Sequence, residues 1–475
     1  MHEQDSAFCA AQRLLVRYTG KPVSGWGGLL LLMRYLERRG VPQMLRQALP
    51  DGRSSPNQIP VVTMALAFFA TVLTGGRRFA HLERLRSDEV IRTILGVTRL
   101  PSAMTLTRYF GGFVHAQSEH LSAVLGEFTR ARLSSPILGE VLDLDSTVFE
   151  RYGRQEGSLK GHNPRKHGRP SHHPILAMLA GAKLVLHSWL RSGNTGSARG
   201  VSAFLAETLE RLPEEFRLYA LRADSGFFIH DFMLDLERRK IPYAIAVRLH
   251  KLLQHAIVGL TDWQRVGHGL EVAETRYLAP SWKHSRRIVV VRERINERPE
   301  ATGRKLFDLP GYTFHTVVTT LELPAVEVWR FYNGRADCEN RLKELKEDFG
   351  ANGCCLNSFY GTEAAFRLIC CLYNLLAEFK REVTHDSKPR LMSLRSQLLV
   401  TGALVGRDGR EVVLRLGLRG RFRERFAALL ARIALLPNPT VTQLRNIANL
   451  QTLSPPRPWK LRPPQRQLAF IGARN

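Results

Sequence analysis

The sequence predicts an α/β protein whose core contains a mixed β-sheet. Residues up to about Leu133 have the periodicity of helices separated by short breaks, whereas strand-like and helix-like segments alternate from Pro136 onward. Residues 250–323 are strand-like and strongly charged, and a basic, partly helical segment follows residue 388. We therefore expect a helical N-terminal region, an α/β core with a β-rich insertion, and a basic, partly helical tail.

The N-terminal helices include a candidate DNA reader. In LPSAMTLTRYFGGFV, Ser102 is placed to cap a short helix that carries Thr105, Thr107, Arg108 and Tyr109. Hydroxyl groups and an arginine near the start of a short helix are typical of a helix-turn-helix that reads DNA. A purely structural helix pair explains the same pattern. Arg108 is therefore a candidate DNA contact, and both interpretations stay open.

The core begins with a strand in GEVLDLDSTVFE, where Leu142 and Leu144 alternate with Val141, Asp143 and Asp145. A basic loop, a strand pair in ILAMLAGAKLVLHSWL and the helix VSAFLAETLERL follow. A strand in FRLYALRADSGF, a helix in IHDFMLDLERRK and a strand in YAIAVRL complete the alternation. Strands that first pair locally and then alternate with helices predict a mixed sheet.

The charge balance favours a polyanionic partner. The 475 residues include 69 Lys and Arg but only 43 Asp and Glu, which gives a formal net charge of +26. Basic side chains that bind phosphates release counterions, so this excess points to nucleic acid, although ribosomal and membrane-surface proteins share it. The hydrophobic fraction of 44% excludes a disordered chain.

Other features predict a cytoplasmic protein without a membrane partner. The N-terminus has mixed charge and no clean apolar stretch, so we expect no signal peptide. The longest apolar run, Pro60–Gly76, is too short to span a membrane and predicts a buried helix. The six cysteines lack the spacing of zinc sites or of a secreted disulfide framework.

Three acidic residues are placed where they can act together. Asp145 ends the first strand, Asp224 ends a later strand in RADSG, and Glu339 lies on a helix after the insertion. Strand ends carry functional side chains in α/β sheets, and Mg²⁺ prefers carboxylate ligands. An Asp at a strand end is more often a turn or cap residue, and Asp143 lies on the same strand face as Asp145.

Glu339 lies within the segment YNGRADCENRLKELK. On one continuous helix, Tyr332, Arg335, Glu339 and Lys346 lie at roughly 0°, 300°, 340° and 320° around the axis, in a single stripe. A Glu between Arg and Lys is usually an exposed ion pair of little energetic value. The alternative is that Glu339 belongs to an acidic site that handles phosphate.

The spacing of these four residues resembles the signature of the DDE transposases of cut-and-paste bacterial insertion sequences. LDLDST and RADSGF are similar to the segments that carry the first two catalytic aspartates of that family, and the resemblance extends from about residue 136 to residue 380. It implies an RNase H-like catalytic core. It also implies two Mg²⁺ or Mn²⁺ ions held by Asp145, Asp224 and Glu339.

The resemblance favours Asp145 over Asp143 as the first catalytic aspartate. In that family the aspartate is typically followed by a pair of small hydroxyl residues, which here are Ser146 and Thr147. Asp143 is then a structural residue beside the site.

The family resemblance implies that water activated by the metal pair nicks DNA at the element's end, and that the freed 3′-hydroxyl attacks the opposite strand or target DNA. Arg335 is expected to clamp a phosphate in a planar fork, Lys346 to act as a point charge and Tyr332 to pack beside a phosphate. The alternative for all three is structural support of Glu339. The implied partners are double-stranded DNA with terminal inverted repeats, target DNA and a second copy in a synaptic homodimer.

The basic loop GHNPRKHGRPSHHP offers further phosphate contacts, for which we expect Arg165, Lys166 and Arg169. Its histidines invite a zinc interpretation, but no cysteine is suitably spaced and no H-E-x-x-H motif occurs. Hairpin-forming relatives stack a Trp of the insertion on a flipped base. Trp263 and Trp282 are the candidates, with a buried core position as the alternative for each.

The predicted organisation has five parts: a helical DNA-binding domain at 1–133, an RNase H-like core at 134–249 and 324–388, a β-rich insertion at 250–323, and a basic region at 389–475. Two other functions compete with transposition. A related metal-dependent nuclease would cut DNA without joining it, and an inactive or domesticated transposase would only bind DNA.

Overall fold

The computed structural model describes residues 18–52, 56–134, 136–161, 163, 166–267, 269–294 and 312–437. Helices enclose a large mixed sheet, so the prediction of a mixed α/β protein is confirmed. In chain order the α-helices are α1 (Leu29–Arg38), α2 (Val41–Ala48), α3 (Val61–Leu73), α4 (Glu83–Arg86), α5 (Glu89–Ile94), α6 (Ala103–Gly111), α7 (His115–Arg130), α8 (Val201–Glu210), α9 (His230–Arg238), α10 (Lys251–Val258), α11 (Ala325–Asn333), α12 (Ala336–Glu347), α13 (Phe359–Phe379), α14 (Leu391–Leu394) and α15 (Gly420–Leu435).

Within the described residues, the strands form one nine-stranded sheet and two three-stranded sheets. In chain order they are β1 (Val23–Ser24), β2 (Glu140–Ser146), β3 (Phe149–Glu150), β4 (Leu159–Lys160), β5 (Pro170–His172), β6 (Ile175–Leu179), β7 (Leu184–Trp189), β8 (Leu218–Ala223), β9 (Tyr243–Ala246), β10 (Gln264–Gly267), β11 (Leu270–Tyr277), β12 (Arg286–Arg294), β13 (Tyr312–Thr319), β14 (Ala403–Asp408) and β15 (Glu411–Leu416).

The N-terminal helices form where the sequence predicts them. α3 is apolar on all sides and almost wholly buried, as expected of a core helix. Ser102 caps α6, because its hydroxyl accepts a 3.0 Å hydrogen bond from the backbone N–H of Thr105. Within the described ranges, no helix combines the length and apolar character needed to cross a membrane.

The large sheet has the order β10-β11-β12-β13-β9-β8-β2-β6-β7. β2, β8 and β9 are parallel neighbours, whereas β6 and β7 are antiparallel to their neighbours. The strands within residues 250–323 continue this sheet, since β13 pairs with β9 in antiparallel register. The site-bearing strand β2 therefore lies inside the sheet rather than at its edge.

Helices cover both faces of the sheet. Since side chains alternate along each strand, neighbouring residues of one strand pack against helices on opposite faces. Ile175 and Ala177 of β6 pack with α8 and α9, while Leu176 and Met178 pack with α12 and α13. α13 also protects the edge strand β7: the Asn374 side chain accepts a 2.7 Å bond from the N–H of Val185 and donates a 2.8 Å bond to its carbonyl.

The two ends of the described chain meet. β1 pairs with β14, which pairs with β15, and the Arg38 side chain donates a 2.6 Å bond to the carbonyl of Leu436 at the end of α15. The prediction of a partly helical tail included α15 but missed the β14–β15 hairpin. The C-terminal Pro-rich segment LSPPRPWKLRPPQRQ lies outside the described residues.

Candidate active site

Asp145 lies near the end of β2, inside the sheet. Its Oδ1 accepts a 2.7 Å hydrogen bond from the backbone N–H of Ser146, and the residue is only 5% exposed. Burial raises the pKa of the Asp145 carboxyl to about 7; Arg335 opposes this shift, whereas the charges of Asp224 and Glu339 add to it. The three acids are therefore close enough to interact electrostatically.

Asp224 lies at the corresponding end of β8, the parallel neighbour of β2. Leu144 pairs with Ala223, and Asp145 and Asp224 directly follow these two positions. Oδ1 of Asp224 accepts a 2.8 Å bond from the backbone N–H of Gly226 and caps the tight turn after β8. A carboxylate has two oxygens, so this cap leaves capacity for a further ligand.

Glu339 lies in the first turn of α12, on a segment that forms two helices. α11 ends at Asn333, Gly334 follows, and α12 begins at Ala336. The prediction of one continuous helix from Tyr332 was therefore wrong, and Tyr332 lies on a different helix from Glu339. The Asn-Gly pair is a common turn signal and marks the break in the sequence.

Arg335 connects two of the acids. Its Nη2 lies 2.9 Å from Oδ2 of Asp145, and its Nη1 donates to Oε1 of Glu339. The guanidinium is buried, and its Nε has no hydrogen-bond partner among the described residues. Burial alone would lower the pKa of Arg335, but the charges of Asp145 and its neighbours raise it above the ordinary value. Arg335 therefore stays protonated and offsets part of the negative charge of the three acids.

The donor atoms suit a hard divalent cation. Asp145, Asp224 and Glu339 offer only carboxylate oxygens, the ligands preferred by Mg²⁺ and Mn²⁺. In the arrangement shown, no group of three or more His, Cys, Asp or Glu side chains in the described part of the chain is positioned to hold a metal ion. The Arg335 guanidinium lies between two of the carboxylates instead. Metal binding there requires Arg335 to release at least one of them.

Asp143 forms a buried ion pair with Arg222. Its two oxygens accept bonds of 2.7 Å and 2.8 Å from Nε and Nη2 of Arg222 on β8. Nη1 of Arg222 donates a 2.7 Å bond to the carbonyl of Phe331, near the end of α11. The ion pair thus holds the end of α11 against the sheet. It thereby also positions the start of α12.

We expect Gly334→Ala to destabilise the protein by about 1–3 kcal/mol. A Cβ on Gly334 would lie 2.4 Å from Nη1 of Arg222, whose position Asp143 fixes. Chemical denaturation measures the change. The control is Gly111→Ala, where a Cβ meets nothing within 4 Å. Equal stability of the two variants would contradict the role given to Arg222.

A groove of about 1110 Å³ opens beside Asp224. The core contributes Asp224, Thr147 and Lys346 to its lining, and the helical N-terminal region contributes Arg77 and Arg78. Nζ of Lys346 donates a 3.2 Å bond to the hydroxyl of Thr147, so the last turn of α12 is held against the end of β2. The site therefore borders a groove lined by both acidic and basic groups.

Comparison with known proteins identifies the family. Residues 7–438 match the family model described as Transposase DDE domain group 1. The chain belongs to this transposase family. No curated protein sequence matches it. A piggyBac transposase in a synaptic complex with hairpin DNA, solved by cryo-EM, is similar at 10% identity and a TM-score of 0.45, over 89% of this chain and 85% of that chain.

Family membership confirms the resemblance to DDE transposases that the sequence predicts. The structure brings Asp145, Asp224, Glu339 and Arg335 of the transposase together. Burial raises the pKa of the Tyr332 hydroxyl, and the charges of Arg335 and of the three acids also act on it, so Tyr332 lies within electrostatic range of the site. It packs parallel to Trp329, with ring centroids 6.3 Å apart.

Residues of the basic loop contact Tyr152, which lines the groove. Nζ of Lys166 donates to Glu150 and to the Tyr152 hydroxyl at 3.0 Å and 3.1 Å, and the Arg169 guanidinium stacks 4.6 Å from the Tyr152 ring centroid. Glu150 and Tyr152 line the groove. Arg165 lies outside the described residues. Phosphate binding by this loop stays a prediction.

Two histidines of this loop, His172 and His173, are bonded to other groups of the protein. Nδ1 of His172 accepts a 2.9 Å bond from Arg151, its Nε2 bonds the Glu156 carbonyl at 2.8 Å, and burial lowers its pKa to about 4. His173 is buried and its Nδ1 bonds the Thr195 carbonyl. Both rings are thus used in fixing the loop.

The three remaining candidates for DNA contact, Arg108, Trp263 and Trp282, differ in how exposed they are. Arg108 is exposed on α6, and its neighbour Thr107 lines the groove, so contact with DNA stays a prediction for this helix. Trp282 is 9% exposed and packs against Phe228, while the Arg292 guanidinium lies 4.0 Å from the ring centroid of Trp263. Trp282 is therefore buried, as the alternative interpretation expects, whereas Trp263 is only half-buried and stacking on a base stays a prediction for it.

Sequence reasoning missed Arg77, Arg78 and Arg222. The first two follow Gly75–Gly76, where a turn signal directly precedes two cations. Arg222 is the arginine of RADSG, within a motif that we interpreted only through its aspartate.

Proposed function

We propose that this transposase cuts DNA at the ends of a mobile element and joins the freed ends to target DNA. The observation that carries the proposal is the placement of Asp145 and Asp224 after paired positions of adjacent parallel strands, with Glu339 tied to Asp145 through Arg335. Functional side chains collect at such strand ends. Asp143, the competing aspartate, is occupied by Arg222.

The strand order supports an RNase H-like core. β7, β6 and β2 form an antiparallel set, and β2 continues into the parallel strands β8 and β9. α12 packs Leu342 and Leu345 into the core beneath this sheet, which presents Glu339 near the strand ends. The proposed core therefore combines residues from both sides of the insertion.

The chemistry is two successive in-line phosphoryl transfers. Water attacks a phosphodiester phosphorus, and the bond to the 3′-oxygen breaks. The freed 3′-hydroxyl then attacks the phosphorus of a second phosphodiester, whose own bond to a 3′-oxygen breaks and releases a new 3′-hydroxyl. Two Mg²⁺ or Mn²⁺ ions held by Asp145, Asp224 and Glu339 would supply activation of the nucleophile and charge neutralisation. Arg335 binds phosphate oxygens through its planar fork once it releases a carboxylate, and Lys346 adds a point charge.

The proposed partners are double-stranded DNA carrying terminal inverted repeats and target DNA. Joining requires two ends in one complex, so we also propose a homodimer in the synaptic state. The net charge of +26 supports a DNA partner.

The decisive experiment compares the wild type with Glu339→Gln on duplexes carrying the sequences that flank the gene. We expect cleavage and joining in Mg²⁺ or Mn²⁺ and none in EDTA. The variant should lose about 10³-fold in rate, because one lost ligand corresponds to several kcal/mol of transition-state stabilisation. Product lengths on denaturing gels measure both steps.

The matched control is Glu327→Gln on α11, an exposed glutamate paired with Arg330. It should keep wild-type activity. Equal cleavage by Glu339→Gln would remove Glu339 from the site. Cleavage without joined products would favour a nuclease, and binding without cleavage would favour a DNA-binding protein.

A further inference from the structure

We propose that the turn carrying Arg77 and Arg78 is a DNA-binding element that holds backbone phosphates beside the active site. This inference rests on the proposed function, because it takes DNA as the occupant of the groove. Both arginines line the same groove as Asp224 and Lys346. They belong to the helical region, between α3 and α4, and not to the catalytic core.

The turn is fixed relative to the helix that carries Glu339. Nε of Arg395 donates a 2.7 Å bond to the carbonyl of Leu73 at the end of α3, and its Nη2 lies 3.3 Å from the carbonyl of Asp348 just after α12. One guanidinium thus joins the last turns of both helices. The chain then turns at Gly75, whose φ of +94° is a conformation that glycine adopts readily.

Close backbone contact holds the turn from the other side. A Cβ on Gly350 would lie 2.8 Å from Cα of Arg77, and one on Gly353 would lie 2.2 Å from the Arg77 carbonyl oxygen. Only glycine permits this approach. Phe79, next to the turn, is buried and stacks on Phe68 with ring centroids 5.4 Å apart. The backbone that presents the arginines is therefore rigid.

The two arginines supply positive charge that the protein does not neutralise. Both are exposed, and neither forms an ion pair with a carboxylate among the described residues. The glutamates that line the groove are paired elsewhere, since Glu347 lies 3.3 Å from Arg390 and Glu150 lies 3.0 Å from Lys166. An unneutralised pair of guanidinium groups on a rigid backbone suits phosphate, because only the two side chains have to be ordered on binding.

The position of the turn fits a path along one strand of DNA. Glu339 and Lys346 are about 10 Å apart along the axis of α12. Gly350, which touches Arg77, lies further along the chain beyond Lys346. Phosphates held by the turn would therefore lie several nucleotides from the cleaved bond, so Arg77 and Arg78 act as positioning residues.

The test measures binding of the full chain to a fluorescein-labelled duplex of mixed sequence over a range of KCl concentrations. Each phosphate contact contributes roughly 0.9 to the slope of log K against log salt. For the pair Arg77→Gln/Arg78→Gln we expect the slope to fall by about 2. Arg77→Lys/Arg78→Lys keeps the charges and should keep the slope.

The matched control is Arg423→Gln/Arg425→Gln, which removes two exposed arginines from α15 that are not among the residues lining the groove. Its slope should stay at the wild-type value. Equal losses in the two glutamine pairs, or an unchanged slope for the first pair, would overturn the inference. Cleavage by the wild type separates the two proposals. If the wild type cuts DNA and the Arg77→Gln/Arg78→Gln variant binds and cuts DNA equally well, this inference fails while the proposed function stands.

Discussion

Asp143→Asn is expected to lower the free energy of unfolding by about 3–5 kcal/mol, because it leaves a buried arginine without its carboxylate. Asp143 is 1% exposed and holds Arg222 through two hydrogen bonds. Arg222 in turn fixes the carbonyl of Phe331. Chemical denaturation measures the loss, and Arg222→Met in the same chain should restore part of it, since neither charge then remains buried alone.

Asp145→Asn, two residues along the same strand, is the control. We expect it to abolish DNA cleavage while leaving the stability of the protein almost unchanged. Burial raises the pKa of Asp145 to about 7, so an uncharged side chain is tolerated there, and Arg335 keeps Glu339 as a partner. The change in the free energy of unfolding should therefore be about 1 kcal/mol or less. A stable, active Asp145→Asn together with a stable, inactive Asp143→Asn would exchange the roles of the two aspartates.

Arg335→Ala should separate metal binding from catalysis. The guanidinium competes with a cation for Asp145 and Glu339, so its removal should tighten Mn²⁺ binding roughly tenfold, a gain of about 1.4 kcal/mol. DNA cleavage should nevertheless fall by about 10²-fold or more, because one preorganised phosphate-binding group is lost. Isothermal titration with Mn²⁺ and a cleavage assay measure the two effects independently.

Arg335→Lys and Arg330→Ala complete this comparison. Lysine keeps the charge without the planar fork, so cleavage should stay low. Arg330 is an exposed arginine on α11 that pairs with Glu327, and its loss should affect neither readout. If Arg335→Lys cleaves normally, the fork is not required; if Mn²⁺ binding weakens in Arg335→Ala, the competition does not exist.

The local part of the structure could be predicted from the sequence. Alternation in GEVLDLDST and the all-apolar run of α3 depend on neighbouring residues only, so the strand, the helix and the cap at Ser102 form as expected. Motif spacing singled out Asp145, Asp224 and Glu339 as candidates. The structure then shows what spacing cannot, namely that Arg335 lies between two of them.

The remaining features depend on contacts between distant residues. Arg222 and Asp143 are 79 positions apart, so their pairing requires the register of β2 and β8. The contact between Arg77 and Gly353 likewise requires the packing of the helical region against α12. Local sequence patterns contain no information about either contact, because the residues involved are far apart in the chain. For this reason the sequence alone did not predict roles for Arg77 and Arg222.

The pairing of β1 with β14 has a consequence during translation. Val23 pairs with Leu404, so the ribosome adds about 380 residues before this partner exists. At roughly 5–20 residues per second, that interval lasts about 20–80 s. β1 therefore has no strand partner on emergence from the ribosome, and transposase truncated before β14 should leave β1 open to proteases and chaperones.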